Sequence, residues 1–92
     1  DKTVIEIENQ LNEIEETLYS YRSSHESKEL SSLALKQALD RLKAGMITPL
    51  EYRDAAYSYS QARHNFNTAA YNLVKSYYEL RRLSGMDLSF NR

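Results

Sequence analysis

Apolar side chains recur at alternating steps of three and four along both halves of this chain. The two runs are separated only by the stretch from Gly45 to Pro49. That period is the mark of a helix that buries one narrow seam against a partner helix. The first run reads Val4, Ile7, Leu11, Ile14, Leu18, Tyr21, then His25, Lys28 and Ser32, then Leu35, Leu39 and Leu42. The second reads Tyr52, Ala55, Tyr59, Ala62, Phe66, Ala69, Leu73, Ser76, Leu80 and Leu83. The fold class that follows is all-α, an antiparallel two-helix coiled-coil hairpin occupying residues 1–92 as one unit.

The punctuation agrees with the period. Thr3 and Glu6 have capping-box spacing, and so do Thr48 and Glu51, where Pro49 takes the first helical position and loses no needed N–H. Ile47 and Tyr52 stand at the two places of a hydrophobic staple. Gly45 suits the left-handed residue after a helix, with Arg41 and Lys43 favouring the negative end of the dipole before it. Gly85, behind Arg81 and Arg82, repeats the ending. These signals predict helices over about 3–44 and 49–84, a tip turn at 45–48 and a short tail at 85–92. A turn so short makes the helices antiparallel neighbours.

Pairing outward from the turn sets Leu42 with Tyr52, Leu39 with Ala55 and Leu35 with Tyr59. Further in, it sets Tyr21 with Leu73, Leu18 with Ser76, Ile14 with Leu80 and Leu11 with Leu83. Ala55, Ala62 and Ala69 let the helices approach closely. Glu6, Glu8, Glu13, Glu15 and Glu16 lie beside Lys75, Arg81 and Arg82, which rejects a parallel pairing. The serines between residues 20 and 32 lower helix propensity, so a loose, under-packed stretch is expected near 22–32. Away from the seam, Tyr57, His64, Tyr71 and Tyr78 recur every seven residues, flanked by Ala56, Ala70 and Tyr77, and Leu30 and Leu33 also point outward. This strip is either ordinary surface tyrosine or a packing face for further helices and for self-association. The amount of apolar surface favours the packing face.

Composition removes most function classes. Only two Gly and one Pro occur among 92 residues, which suits long helices. A net charge of −1 makes no electrostatic case for nucleic acid. Without cysteine there is neither a disulfide nor a thiolate metal site. His25 and His64 fall on different helices at unmatched levels, so no metal or cofactor is expected. No catalytic triad, phosphate-cradling loop or nucleophile can be assembled, so the chain is not read as an enzyme. No apolar run reaches the roughly 18 residues of a spanning helix. Beginning at Asp1, the sequence reads as an excised piece of a longer protein.

The residues around the turn, Arg41-Leu-Lys-Ala-Gly45-Met-Ile-Thr-Pro-Leu-Glu51, resemble the tip of a TolC-family outer-membrane efflux or type I secretion channel subunit. That family's helix-to-helix turn carries Arg, an aromatic or aliphatic residue, two variable positions, Gly, two apolar residues, Ser or Thr, and an apolar–acidic pair. The alanine-spaced helix through Phe66 and Leu73 to Leu80-Arg-Arg-Leu-Ser-Gly85 is similar too, so the resemblance covers about residues 33–88.

The resemblance implies a homotrimeric parent in a Gram-negative outer membrane, each subunit giving two hairpins to a periplasmic α-barrel. It implies that Leu42, Ala44, Gly45, Met46, Ile47 and Thr48 form a turn that docks a periplasmic adaptor (membrane fusion) protein. Backbone N–H and C=O groups and an apolar knob of Met46 and Ile47 would be offered there. Glu51 matches an acidic residue of the network that holds the channel entrance shut. Tyr57, Tyr71 and Tyr78 would pack on other hairpins of the channel. The family's second hairpin often has Tyr and Arg where Leu42 and Ile47 stand, which leans this chain towards the first hairpin. The β-strands of such a channel are missing, so this piece would not itself insert in a membrane. The other reading is a free-standing structural or interaction coiled coil, including the hairpin of an adaptor. Adaptor hairpins carry Arg with Leu four residues later near the tip, and no Arg here has Leu at that offset.

Overall fold

The computed structural model describes residues 2–90 in backbone and 2–85 in side chain. It is an all-α hairpin: α1, Lys2–Lys43, and α2, Pro49–Phe90, pack antiparallel along their lengths into a rod of 70 × 16 × 15 Å. No strand occurs among the described residues. α1 begins at Lys2, so Thr3 lies within the helix rather than in front of it as a cap. A one-residue difference of this size is ordinary at helix ends.

The short tail expected at 85–92 is instead helical as far as Phe90, and the remainder of it lies outside the described residues. Gly45 is the only described glycine with positive φ, so Gly85 is an interior helical residue and not a terminator. A glycine permits a helix to end but does not compel it, and no proline follows Gly85.

α2 buries the seam its sequence announces. Ala62 and Ala69 are the buried apolar residues, and Tyr52, Ala55, Tyr59, Phe66, Leu73, Leu80 and Leu83 are half-buried beside them. α1 is rotated from expectation. One track, Ile7, Ile14, Tyr21, Lys28, Leu35 and Leu42, faces the partner as foreseen. The other track lies one residue earlier, at Thr3, Gln10, Thr17, Ser24, Ser31 and Ala38. Val4, Leu11, His25 and Leu39 are consequently exposed, while Leu18 and Ser32 sit half-buried at the edge.

The register shifts with this rotation. Phe66 lies 5.2 Å from Tyr21 and 5.5 Å from His25 between ring centroids, with the Lys28 ammonium 4.7 Å from its centre. Side chains lean toward the N-terminus of their own helix, so with the Gln10 Nε2 bond to the Ser76 carbonyl these contacts put Phe66 level with Tyr21. The regular tracks then set Gln10 opposite Ser76, Thr17 opposite Ala69, Ser24 opposite Ala62, Lys28 opposite Tyr59 and Leu35 opposite Tyr52. The pairings Leu42–Tyr52, Leu39–Ala55 and Tyr21–Leu73 are therefore displaced by about two helical turns.

The cause is volume. The expected register set leucines against Ala55 and Ser76, whereas the observed one makes layers in which small residues face one another, such as Ser24 with Ala62 and Thr17 with Ala69. Layers of large residues, Tyr21 with Phe66 among them, alternate with these, so the helices approach closely at the small layers and the large side chains fill the levels between. The serine-rich stretch is accordingly not loose. Ser24 and Ser31 are the small partners of Ala62 and Ala55, and the helix runs through them unbroken.

Candidate functional site

The tip is built by two interlocked caps. Met46 N–H donates to the Arg41 carbonyl at 2.8 Å and Gly45 N–H to the Leu42 carbonyl at 3.0 Å. With Gly45 at φ +72, these are the two bonds of a Schellman motif. Ala44 N–H donates to the Asp40 carbonyl at 3.0 Å. The N–H groups of Ala44, Gly45 and Met46 are thus all turned back on α1. This corrects the expectation that the glycine turn offers such donors to a partner.

Three residues on, α2 starts with Thr48 as its cap. Glu51 N–H donates to Thr48 Oγ1 at 3.1 Å, and Tyr52 N–H donates to the Thr48 carbonyl at 3.1 Å. The Thr48 hydroxyl in turn donates to Glu51 Oε1 at 3.4 Å, so the acidic residue is tied to the cap by its side chain. Ile47 and Tyr52 are both half-buried, as the two places of a staple require.

What the tip presents is apolar and small. Met46 is 72% exposed although it holds the position after the left-handed glycine, where a Schellman motif commonly packs a hydrophobic side chain inward. Leu50, in the first turn of α2, is 63% exposed at the same end of the rod. Leu42 and Ile47 lie half-buried beneath them, while Ala44, Gly45, Thr48 and Glu51 are exposed. The knob is therefore Met46 with Leu50, not Met46 with Ile47. Leu50 could have been found from the sequence, since it stands seven residues before Tyr57 on the outward strip.

The remaining candidates are elsewhere. Tyr57, Tyr71 and Tyr78 line the back of α2 at 68, 67 and 61% exposure, away from the tip. Tyr78 makes an edge contact with Tyr77, 6.3 Å between centroids. At the far end of the rod, Glu79 and Arg82 form an exposed ion pair. The hydrogen bond from Arg82 lowers the Glu79 carboxyl below its ordinary range, and the charges of Arg82 and Lys75 add to this. The same bond raises Arg82, helped by the charge of Glu6 across the hairpin.

Among the described residues no group of three or more His, Cys, Asp or Glu side chains could hold a metal ion. No described helix is long and apolar enough to cross a membrane. No known family, characterised protein or solved structure matches the chain.

Proposed function

We propose that this hairpin is one stave of the periplasmic α-barrel of a TolC-type efflux or secretion channel, and that its tip docks a periplasmic adaptor. The observation that carries the reading is the tip itself: a capped glycine turn at the end of a 70 Å rod, with Met46 and Leu50 held out into solvent. The likeness of residues 41–51 to that family's turn supplies the partner. Two caps make the turn rigid, so little order has to be imposed when it binds, and preorganisation of this kind favours affinity.

One tip offers a small contact area. It binds weakly by itself, and useful affinity comes from several tips held in a ring by a trimeric parent. Glu51, tied to Thr48, is the residue of this tip suited to an entrance-closing network. Tyr57, Tyr71 and Tyr78 are the residues suited to contacts between neighbouring staves.

The test is export by the full-length protein carrying Gly45→Asp and Met46→Asp, both at exposed positions. Asp tolerates the left-handed region better than most residues, so the turn survives while its apolar tip gains charge. Loss of export with trimer assembly intact is expected. Normal export by a stably expressed double variant would refute the docking role.

A further inference from the structure

The two flanks of the hairpin differ in kind. One is lined by the residues just before the large seam positions: Glu13, Ser20 and Ser27 of α1, with Ser58, Asn65 and Asn72 of α2. Shallow grooves on this side join Glu13 to Asn72, and Ser20 and Ser27 to Ser58 and Asn65, so these residues share one polar face. The residues just after the small seam positions must then share the opposite flank. They include Val4, Leu11, Leu18 and Leu39 of α1, with Ala70 and Tyr77 of α2, and His25 and Arg63 interrupt them at mid-length. Val4, Leu11 and Tyr77 are 53, 47 and 59% exposed, so this apolar flank has no cover within the single hairpin.

The exposed area sets an upper bound on how much cover is missing, since a rod of 70 × 16 × 15 Å exposes more than a compact shape of equal mass. The chain has 7341 Å² of accessible surface at 10.7 kDa. A compact monomer of that mass exposes about 5,500 Å², leaving an excess of about 1,800 Å² per chain. A permanent interface between two chains buries about 2,000–5,000 Å² in total, and twice the excess falls within that range. No described side chain is fully buried in the hairpin alone.

We infer that the apolar flank is the interface for a second copy of this chain, giving a four-helix bundle. A twofold axis along the rod lays α1 of one copy on α2 of the other, so every neighbouring pair of helices is antiparallel. Glu8 then lies within about one turn of the level of Arg81 of the second copy, whereas the reversed arrangement, tip to base, brings Arg53 to the level of Arg81 instead. Glu13, on the polar flank, remains in solvent, as do Tyr57 and Tyr71 on the back of α2.

The experiment is sedimentation equilibrium of the 92-residue chain, beside Leu11→Glu/Leu39→Glu and Tyr57→Ser/Tyr71→Ser variants. Wild type and the tyrosine variant are expected to be dimers, and the flank variant to be monomeric. Loss of helicity along with the dimer in the flank variant also supports the proposal, because both glutamates replace side chains that are exposed in the single hairpin. Spin labels at Met46→Cys, in a chain with no other cysteine, report the orientation. A separation short against the 70 Å rod is expected. A monomeric wild type, a dimer lost in the tyrosine variant but kept in the flank variant, or labels a rod length apart would overturn it.

Discussion

Alanine placed at each of the two described glycines should move stability in opposite directions. A methyl group built at Gly45 or at Gly85 meets no atom within 4 Å, so neither substitution carries a packing penalty. What differs is the backbone: Gly45 holds φ +72, whereas Gly85 lies inside α2. An L-residue in the left-handed region costs about 1–2 kcal/mol. Against that, alanine stiffens the unfolded chain and returns about 0.4–1 kcal/mol. Gly45→Ala should therefore destabilise by about 1 kcal/mol. Gly85→Ala incurs no strain and should stabilise by about 0.5 kcal/mol, below the full helix-interior gain because last turns fray.

Thermal unfolding followed by circular dichroism, at one fixed protein concentration, resolves this. For a domain of this size 1 kcal/mol is about 4–8 °C in midpoint. A synthetic chain with D-alanine at 45 should rise above wild type, since the mirror-image residue prefers positive φ. Midpoints that move the same way for Gly45→Ala and Gly85→Ala would refute the assignment of strain to the tip.

Ala69→Leu should lower the midpoint by the equivalent of about 1–3 kcal/mol, because Ala69 is only 8% exposed and lies where the helices approach closely, opposite Thr17; unfolding by urea would show it. Thr48→Ala removes the acceptor of the Glu51 N–H and should cost about 0.5–2 kcal/mol, with hydrogen exchange fastest in the first turn of α2. Gln10→Ala deletes the buried bond from Gln10 Nε2 to the Ser76 carbonyl and should cost about 0.5–1.5 kcal/mol, again read from a urea midpoint.

Legibility differed sharply between the two helices. α2 was readable because its seam is written in size as well as polarity: Tyr, Phe and Leu alternate with Ala and Ser, and no other face competes with that pattern. α1 was misread because two adjacent tracks are both plausible. Val4, Leu11, Leu18 and Leu39 are more apolar than Thr3, Gln10, Thr17 and Ser31, so hydrophobicity alone chose the wrong one. The tip residues were legible as a turn, but not in detail. The staple spacing of Ile47 to Tyr52 and the seven-residue step from Leu50 to Tyr57 did indicate that Ile47 is covered and Leu50 is not, but the turn pattern put Ile47 in the knob instead.

Local chemistry was enough to determine where the turn falls, which residue takes positive φ and which threonine caps the second helix. Those choices involve only neighbours in the chain, and Gly45, Thr48 and Pro49 each have one conformational role they fill far better than alternatives. Rotation and register of α1 were decided by the tertiary structure. They follow from the volumes that meet across the seam, where Ser24 lies level with Ala62 and Tyr21 with Phe66. A sum over pairs of residues far apart in sequence cannot be read from either helix by itself. Packing at close range therefore outweighed the burial of four larger aliphatic side chains, and left them on the flank where a second chain can cover them.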